Sequence, residues 1–224
     1  MPFSLSRRRF LVCSAAFFLE EAALFAMPSL AKQSPLVPVS GIRLLSCDPS
    51  LIKAIGNQTS GRCSWYALRY ARTILDGTVC SGAGMWRNGA VWEAAGYRSF
   101  DGTREECLYR LYSELEKGRP VIVHVQNVHT DRGGKHPDRV STWEYSLNGR
   151  SWSRVEYPHI ATTAAYGHWM CVVGVAVGAD PKHLTESAFY ALDPARILSG
   201  NTLSVTRMLD GTLWIGNSPL KVTK

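Results

Sequence analysis

No run of lysine or arginine follows residue 9; the other basic residues are scattered along the chain. A nucleic-acid surface needs clustered positive charge, so no nucleic-acid partner is expected. No C-x-x-C pair or Cys/His cluster has the spacing of metal ligands, and no metal or other cofactor is expected. A serine nucleophile would call for a G-x-S-x-G elbow, which is missing. Gly82-x-Gly84 has neither a preceding strand nor a lysine, so it makes no phosphate cradle. No apolar run reaches the ~18 residues needed to span a bilayer.

What is present describes a globular protein. Hydrophobic residues make up 46% of the 224 and charged residues 19%, a composition that builds a core. The formal charge is +7. Residues 1–31 carry three arginines and two glutamates, so the remainder has a charge of +6. Such a surface suits an anionic partner such as a cell wall or a membrane face.

The N-terminus reads as an address. Ser6-Arg7-Arg8-Arg9-Phe10-Leu11-Val12 leads into an apolar run to Leu19 and a second from Ala22 to Met27, and Ser29-Leu30-Ala31 offers small residues for cleavage. A positive region, an apolar region and an A-x-A-like site form a signal peptide. The arginine pair followed by x-Phe-Leu resembles the bacterial twin-arginine signal. Three segments follow: a signal peptide over 1–31, an extended lead-in over 32–50 carrying Pro35, Pro38 and Pro49, and one domain over 51–224. The expected location is periplasmic or secreted, with the twin-arginine translocon as partner during export and no membrane span after processing.

Cys13 leaves with the signal, and Cys47, Cys63, Cys80, Cys107 and Cys171 remain. An odd count in an oxidising compartment leaves at least one thiol free or paired between molecules. The other four allow two bridges in three connectivities, or none, because twin-arginine substrates fold in a reducing cytosol.

Residues 62–75 read as a helix: Cys63, Ala67, Tyr70, Ala71 and Ile74 share one face. Ser60 is the expected N-cap, Gly77 the stop, and Cys63 about the third helical residue. A short helix is expected over 85–95. Thr103 with Glu106 makes a capping box for a helix that Gly118 ends. Strands are expected over Pro120–Gln126, His168–Val177, Ala188–Asp193 and within Leu203–Ile215. A hairpin over 141–156 turns at Asn148-Gly149. Helices first and antiparallel strands after make an α+β arrangement.

Cys63 near a helix start sits where the positive helix end lowers a thiol pKa. Gln58, five residues upstream, could donate an amide hydrogen to an oxyanion held by the Cys63 backbone N–H. His168 opens the apolar strand His-Trp-Met-Cys-Val-Val-Gly-Val, and Asp193 ends the next in Tyr-Ala-Leu-Asp-Pro. Neighbouring strands would bring carboxylate and imidazole together, which fixes the tautomer and stabilises the imidazolium. A nucleophile, a base and an orienting acid are then available with no cofactor.

These segments carry a resemblance. Gly118-Arg119-Pro120-Val121-Ile122-Val123-His124-Val125, Gly167-His168-Trp169 and Ala191-Leu192-Asp193-Pro194 resemble the C39-like branch of the papain-like cysteine peptidases. Gly61-Arg62-Cys63-Ser64-Trp65-Tyr66 and Trp86-Arg87-Asn88-Gly89-Ala90-Val91-Trp92 are similar to the CHAP cell-wall amidases. Together they cover roughly residues 55–195. The resemblance implies a papain-like fold, N-terminal helices packed on an antiparallel sheet, with Cys63, His168 and Asp193 as catalytic residues. It departs from the pattern at Gln58, one residue closer to the cysteine than in most papain-like enzymes, and at Ser64-Trp65, where C39-like chains have Gly-Pro.

The implied activity is hydrolysis of a peptide or amide bond through an acyl-enzyme, on a peptide or protein substrate or a cell-wall peptide. The alternatives are a peptidoglycan amidase or endopeptidase, and a non-catalytic binding module on the same fold. His124, inside an apolar strand, reads as a core histidine. His129 and His136 sit in a polar loop, His159 follows a proline, and His183 falls in a turn. The hairpin face with Trp143, Tyr145, Arg150, Trp152 and Arg154 reads as cross-strand packing ahead of sugar or peptide binding. Replacing Arg7, Arg8 and Arg9 together by Lys should hold the protein in the cytoplasm, as fractionation would show. Undiminished export would refute the twin-arginine assignment.

Overall fold

The computed structural model describes residues 36–59, 61–82, 92, 95–126, 139–147, 150–158, 167–213 and 219–222. Residues 1–31, expected to be a signal peptide, Ser60, most of the helix expected over 85–95 (Trp86 included), His129, His136, Asn148-Gly149 and His159 lie outside these residues.

The described chain starts with strands β1 (Leu36–Val39) and β2 (Ile42–Leu45), then helices α1 (Pro49–Ile55) and α2 (Cys63–Asp76). Strand β3 (Tyr97–Ser99), helix α3 (Arg104–Glu116) and strand β4 (Val121–Gln126) follow. Next come β5 (Arg139–Ser146), β6 (Ser151–Pro158), β7 (Gly167–Ala176) and β8 (Phe189–Leu192). Strands β9 (Leu198–Ser199), β10 (Thr202–Arg207) and β11 (Leu220–Val222) complete the set. All eleven join one sheet in the order β3-β11-β4-β7-β8-β10-β5-β6; β2 adds the first hairpin to β7, and β9 pairs with β10. Every pairing among them is antiparallel. The architecture is α+β.

Alternation along the central strands builds the layers. Ile122, Cys171, Tyr190 and Leu192 pack with α1 and α2 in one buried cluster. Val121, Val123, Val125, Met170, Val172, Phe189 and Ala191 pack with Cys107, Leu108, Leu111 and Leu115 of α3 in another. Successive strand residues point to opposite faces, and helices cover both faces here. That double cover explains the unbroken apolar run of β7. The β7–β8 register shifts between Val172 and Gly174. Val173 and Val175 consequently enter different clusters, as a bulge requires. A Cβ at Gly174 would come 2.9 Å from the Arg43 carbonyl, so glycine admits β2 there.

Several expectations shift by a residue or two. Of the lead-in expected over 32–50, Leu36–Val39 and Ile42–Leu45 are extended and enter the sheet, because β2 pairs with β7, whereas Pro49 and Ser50 already belong to α1. Strands therefore precede the first helix. Pro38 is tolerated because β1 pairs with β2 alone and lies at an edge. Helix α2 begins at Cys63 itself, with Arg62 as N-cap. It ends at left-handed Gly77, as expected. The capping box of Thr103 and Glu106 forms on α3. From the Leu203–Ile215 segment, Thr202–Arg207 is a strand, and Leu213 makes an isolated bridge to Val125. The hairpin register pairs Tyr145 with Trp152. Their rings sit 4.9 Å apart and pack on the first cluster, which supports the packing reading for those two residues. Cys47, Cys63, Cys107 and Cys171 are free thiols, so the two-bridge alternative does not form. No helix among the described residues is long and apolar enough to cross a membrane.

Leu111 is fully buried between α3 and the sheet. Leu111→Ala should cost about 2–5 kcal/mol, the usual range for a core leucine. Urea unfolding reads this as a lowered midpoint, and an unmoved midpoint would contradict the packing described.

Candidate active site

Three of the four residues singled out in the sequence meet at one end of the central strands. Cys63 is the first residue of α2 and is half-buried. The Arg62 side chain makes no cap hydrogen bond, so it does not satisfy the amides of the first turn. The positive end of the helix therefore bears directly on the thiol. His168 is the second residue of β7, and Asp193 follows the last residue of β8. Cys171 faces Leu192 across these strands. One further step places Asp193 opposite Met170, a diagonal neighbour of His168.

The imidazole connects the other two. His168 Nε2 donates to Asp193 Oδ1 at 2.7 Å. The same oxygen accepts the Ala195 N–H at 2.9 Å, and the Asp193 carbonyl accepts the Arg196 N–H at 3.0 Å. This turn locks the carboxylate. With Nε2 committed to Asp193, Nδ1 is the nitrogen left to face the Cys63 thiol, whose ionisation His168 favours. The backbone N–H groups of Ser64 and Trp169 also favour the thiolate.

These contacts set the charges. Burial pushes the Cys63 thiol up, but the hydrogen bond and charge of His168, with the two backbone donors, bring it below its ordinary value. Burial opposes protonation of His168 as well, yet its bonds to Asp193 and Cys63 raise it to about 10. Asp193 is buried, which works against ionisation, and the His168 contact outweighs this and lowers it. The other thiols behave in the opposite way. Burial raises Cys47 to about 11 and pushes Cys107 and Cys171 up. Cys63 alone among these four has its thiolate favoured by its surroundings.

Gln58 is tied to the group through the backbone. Its N–H donates to the Pro194 carbonyl at 2.7 Å. Asn57 holds both backbone groups of Leu198, at 2.8 and 3.0 Å. The Tyr70 hydroxyl of α2 donates to Gly56 at 2.7 Å. The loop before Cys63 is thus pinned to the segment after Asp193. The Gln58 Oε1 is buried with no partner, an unusual state for a buried amide. No side-chain bond joins it to Cys63 or His168.

The sequence placed His124 in the core, and it is buried at 8% exposure. Its ring lies flat on Trp169, with centroids 4.6 Å apart and planes at 11°. Burial and the nearby His168 lower its pKa, so it stays uncharged. What the sequence reading missed is that His124 borders the site; the strand register that shows this is a long-range property. His183 pairs with Asp180 at 2.7 Å on the surface, away from this group. Among the described residues no three His, Cys, Asp or Glu side chains converge as metal ligands.

Comparison with protein-family models, curated proteins and solved structures finds no match for this chain. The site therefore rests on its geometry. Alkylation of Cys63 should have its pH limb below about 8.5, the ordinary thiol value, because its thiolate is favoured. Iodoacetamide rates against pH measure this directly. A limb at or above 8.5 would contradict the ion pair.

Proposed function

We propose that this protein is an exported cysteine peptidase of the papain-like kind, hydrolysing peptide or amide bonds through Cys63, His168 and Asp193. The observation that carries the reading is one imidazole bonded to a carboxylate at 2.7 Å and acting on a thiol of lowered pKa at a helix start. Structural ion pairs seldom combine a nucleophile, a base and an orienting acid in this order.

The chemistry follows from those positions. The Cys63 thiolate attacks the scissile carbonyl carbon, and the C=O electron pair moves onto oxygen. The Cys63 backbone N–H meets this oxyanion, with the Gln58 carboxamide as second donor after its amide turns its nitrogen inward. The oxyanion collapses, the C–N bond breaks, and the imidazolium of His168 gives its proton to the leaving amine. Neutral His168 then takes a proton from water, which attacks the thioester, and the acid product leaves as the thiol pair is restored. Asp193 holds the ring throughout and does not itself accept the proton. No cofactor enters this sequence.

The reading places the enzyme outside the cytoplasm, in line with the twin-arginine-type N-terminus. Cys63→Ala and His168→Ala should each lower kcat on the order of 10^6-fold, and Asp193→Ala about 10^4-fold, by comparison with other triads. The assay offers the mature protein a peptide library and purified peptidoglycan, with products read by mass. Peptide products that need Cys63 support the peptidase. Cell-wall fragments that need Cys63 would redirect the substrate to peptidoglycan. No Cys63-dependent product from either substrate would leave a binding module.

A further inference from the structure

The two residues that flank His168 along the chain share one neighbour. Strand β4 sets His124 directly opposite Trp169, and Gly167 opposite Gln126. His124 is therefore a diagonal neighbour of Gly167 on the same strand face. Its ring covers both positions. On one side it stacks on the Trp169 indole at 4.6 Å and 11°. On the other side it occupies the space a side chain at 167 would need, because a Cβ on Gly167 would overlap the imidazole. Gly167 has no left-handed backbone that would demand glycine, so this close approach is the reason for glycine there.

The packing extends beyond His124. Trp169 leans on Trp92 at 5.3 Å, and Trp92 meets Tyr97 edge-on at 6.2 Å. Tyr97 is fully buried. A column of four rings thus backs the start of β7. The Trp169 N–H also favours the Cys63 thiolate. Any shift of the backbone over Gly167–Trp169 moves the base and one of the donors to the nucleophile together.

We propose that His124 is a positioning residue for the Cys63–His168 pair: its ring, wedged against Gly167 and stacked on Trp169, fixes the strand start that aims His168 at Cys63. The proposal rests on the peptidase reading above, and it assigns His124 no contact with substrate or proton. An ordinary core histidine would contribute stability only. A positioning histidine must also change the ionisation of Cys63, since the thiolate depends on where His168 lies. Displacement by even ~1 Å at a catalytic group can cost on the order of a hundredfold in rate.

The test reads the pH dependence of Cys63 alkylation, together with kcat and KM, in wild type, His124→Ala, His124→Phe and Gly167→Ala. His124→Ala should move the alkylation limb to higher pH and lower kcat roughly ten- to a hundredfold with KM unchanged. His124→Phe keeps a flat ring on Trp169 and should restore both. Gly167→Ala pushes the ring from its other side and should act as His124→Ala does. If His124→Ala does not fold, Gly167→Ala carries the comparison: a raised limb supports the proposal and an unmoved one overturns it. A folded His124→Ala protein with the wild-type limb and kcat overturns it, and so does a His124→Phe protein as impaired as the alanine variant. A wild-type limb already at or above the ordinary thiol value would remove the peptidase reading itself, a result distinct from all of these.

Discussion

The 2.7 Å hydrogen bond from His168 Nε2 to Asp193 Oδ1 is the constraint on which the rest of the site depends. Asp193 is buried, and an unpaired buried carboxylate costs several kcal/mol. The bond to an imidazolium, with the Ala195 N–H on the same oxygen, offsets that cost. It also dictates which nitrogen faces the thiol. A ring turned the other way would leave Asp193 uncompensated, so orientation and charge are settled by one interaction.

Everything around this bond holds its two ends in place. The antiparallel register of β7 and β8 brings the strand ends together. Helices on both faces bury those strands and leave them no alternative register. The loop before Cys63 is tied to the segment after Asp193 through Gln58 and Asn57. Helix α2 packs its buried face, including Ala67, Tyr70 and Ala71, in the same cluster as Cys171 and Leu192. Cys63 and its partners are therefore carried by elements that share one core.

Local signals were legible in the sequence. The one-faced stripe from Cys63 to Ile74, the Gly77 stop and the Thr103–Glu106 capping box depend on near neighbours and appear where expected. The strands that carry His168 and Asp193 were readable from their apolar runs. Long-range pairing was not. The joining of β2 to β7, the isolated bridge at Leu213 and the His124–Trp169 stack depend on register between distant segments. His124 looked like one more buried residue because its significance lies in what faces it. Likewise the lowered pKa of Cys63 comes chiefly from His168, distant in the chain, while the helix start alone was visible in the sequence.

The central claim is that His168 is an imidazolium paired with a thiolate. Nitrogen-15 NMR of the His168 ring in the mature protein tests it most directly. Between the ordinary histidine value of about 6.5 and about 10, the ring should carry protons on both nitrogens. In Cys63→Ala, which removes one of the contacts that raise it, the titration should move to lower pH. A ring that is neutral throughout that interval in the wild-type protein would contradict the account.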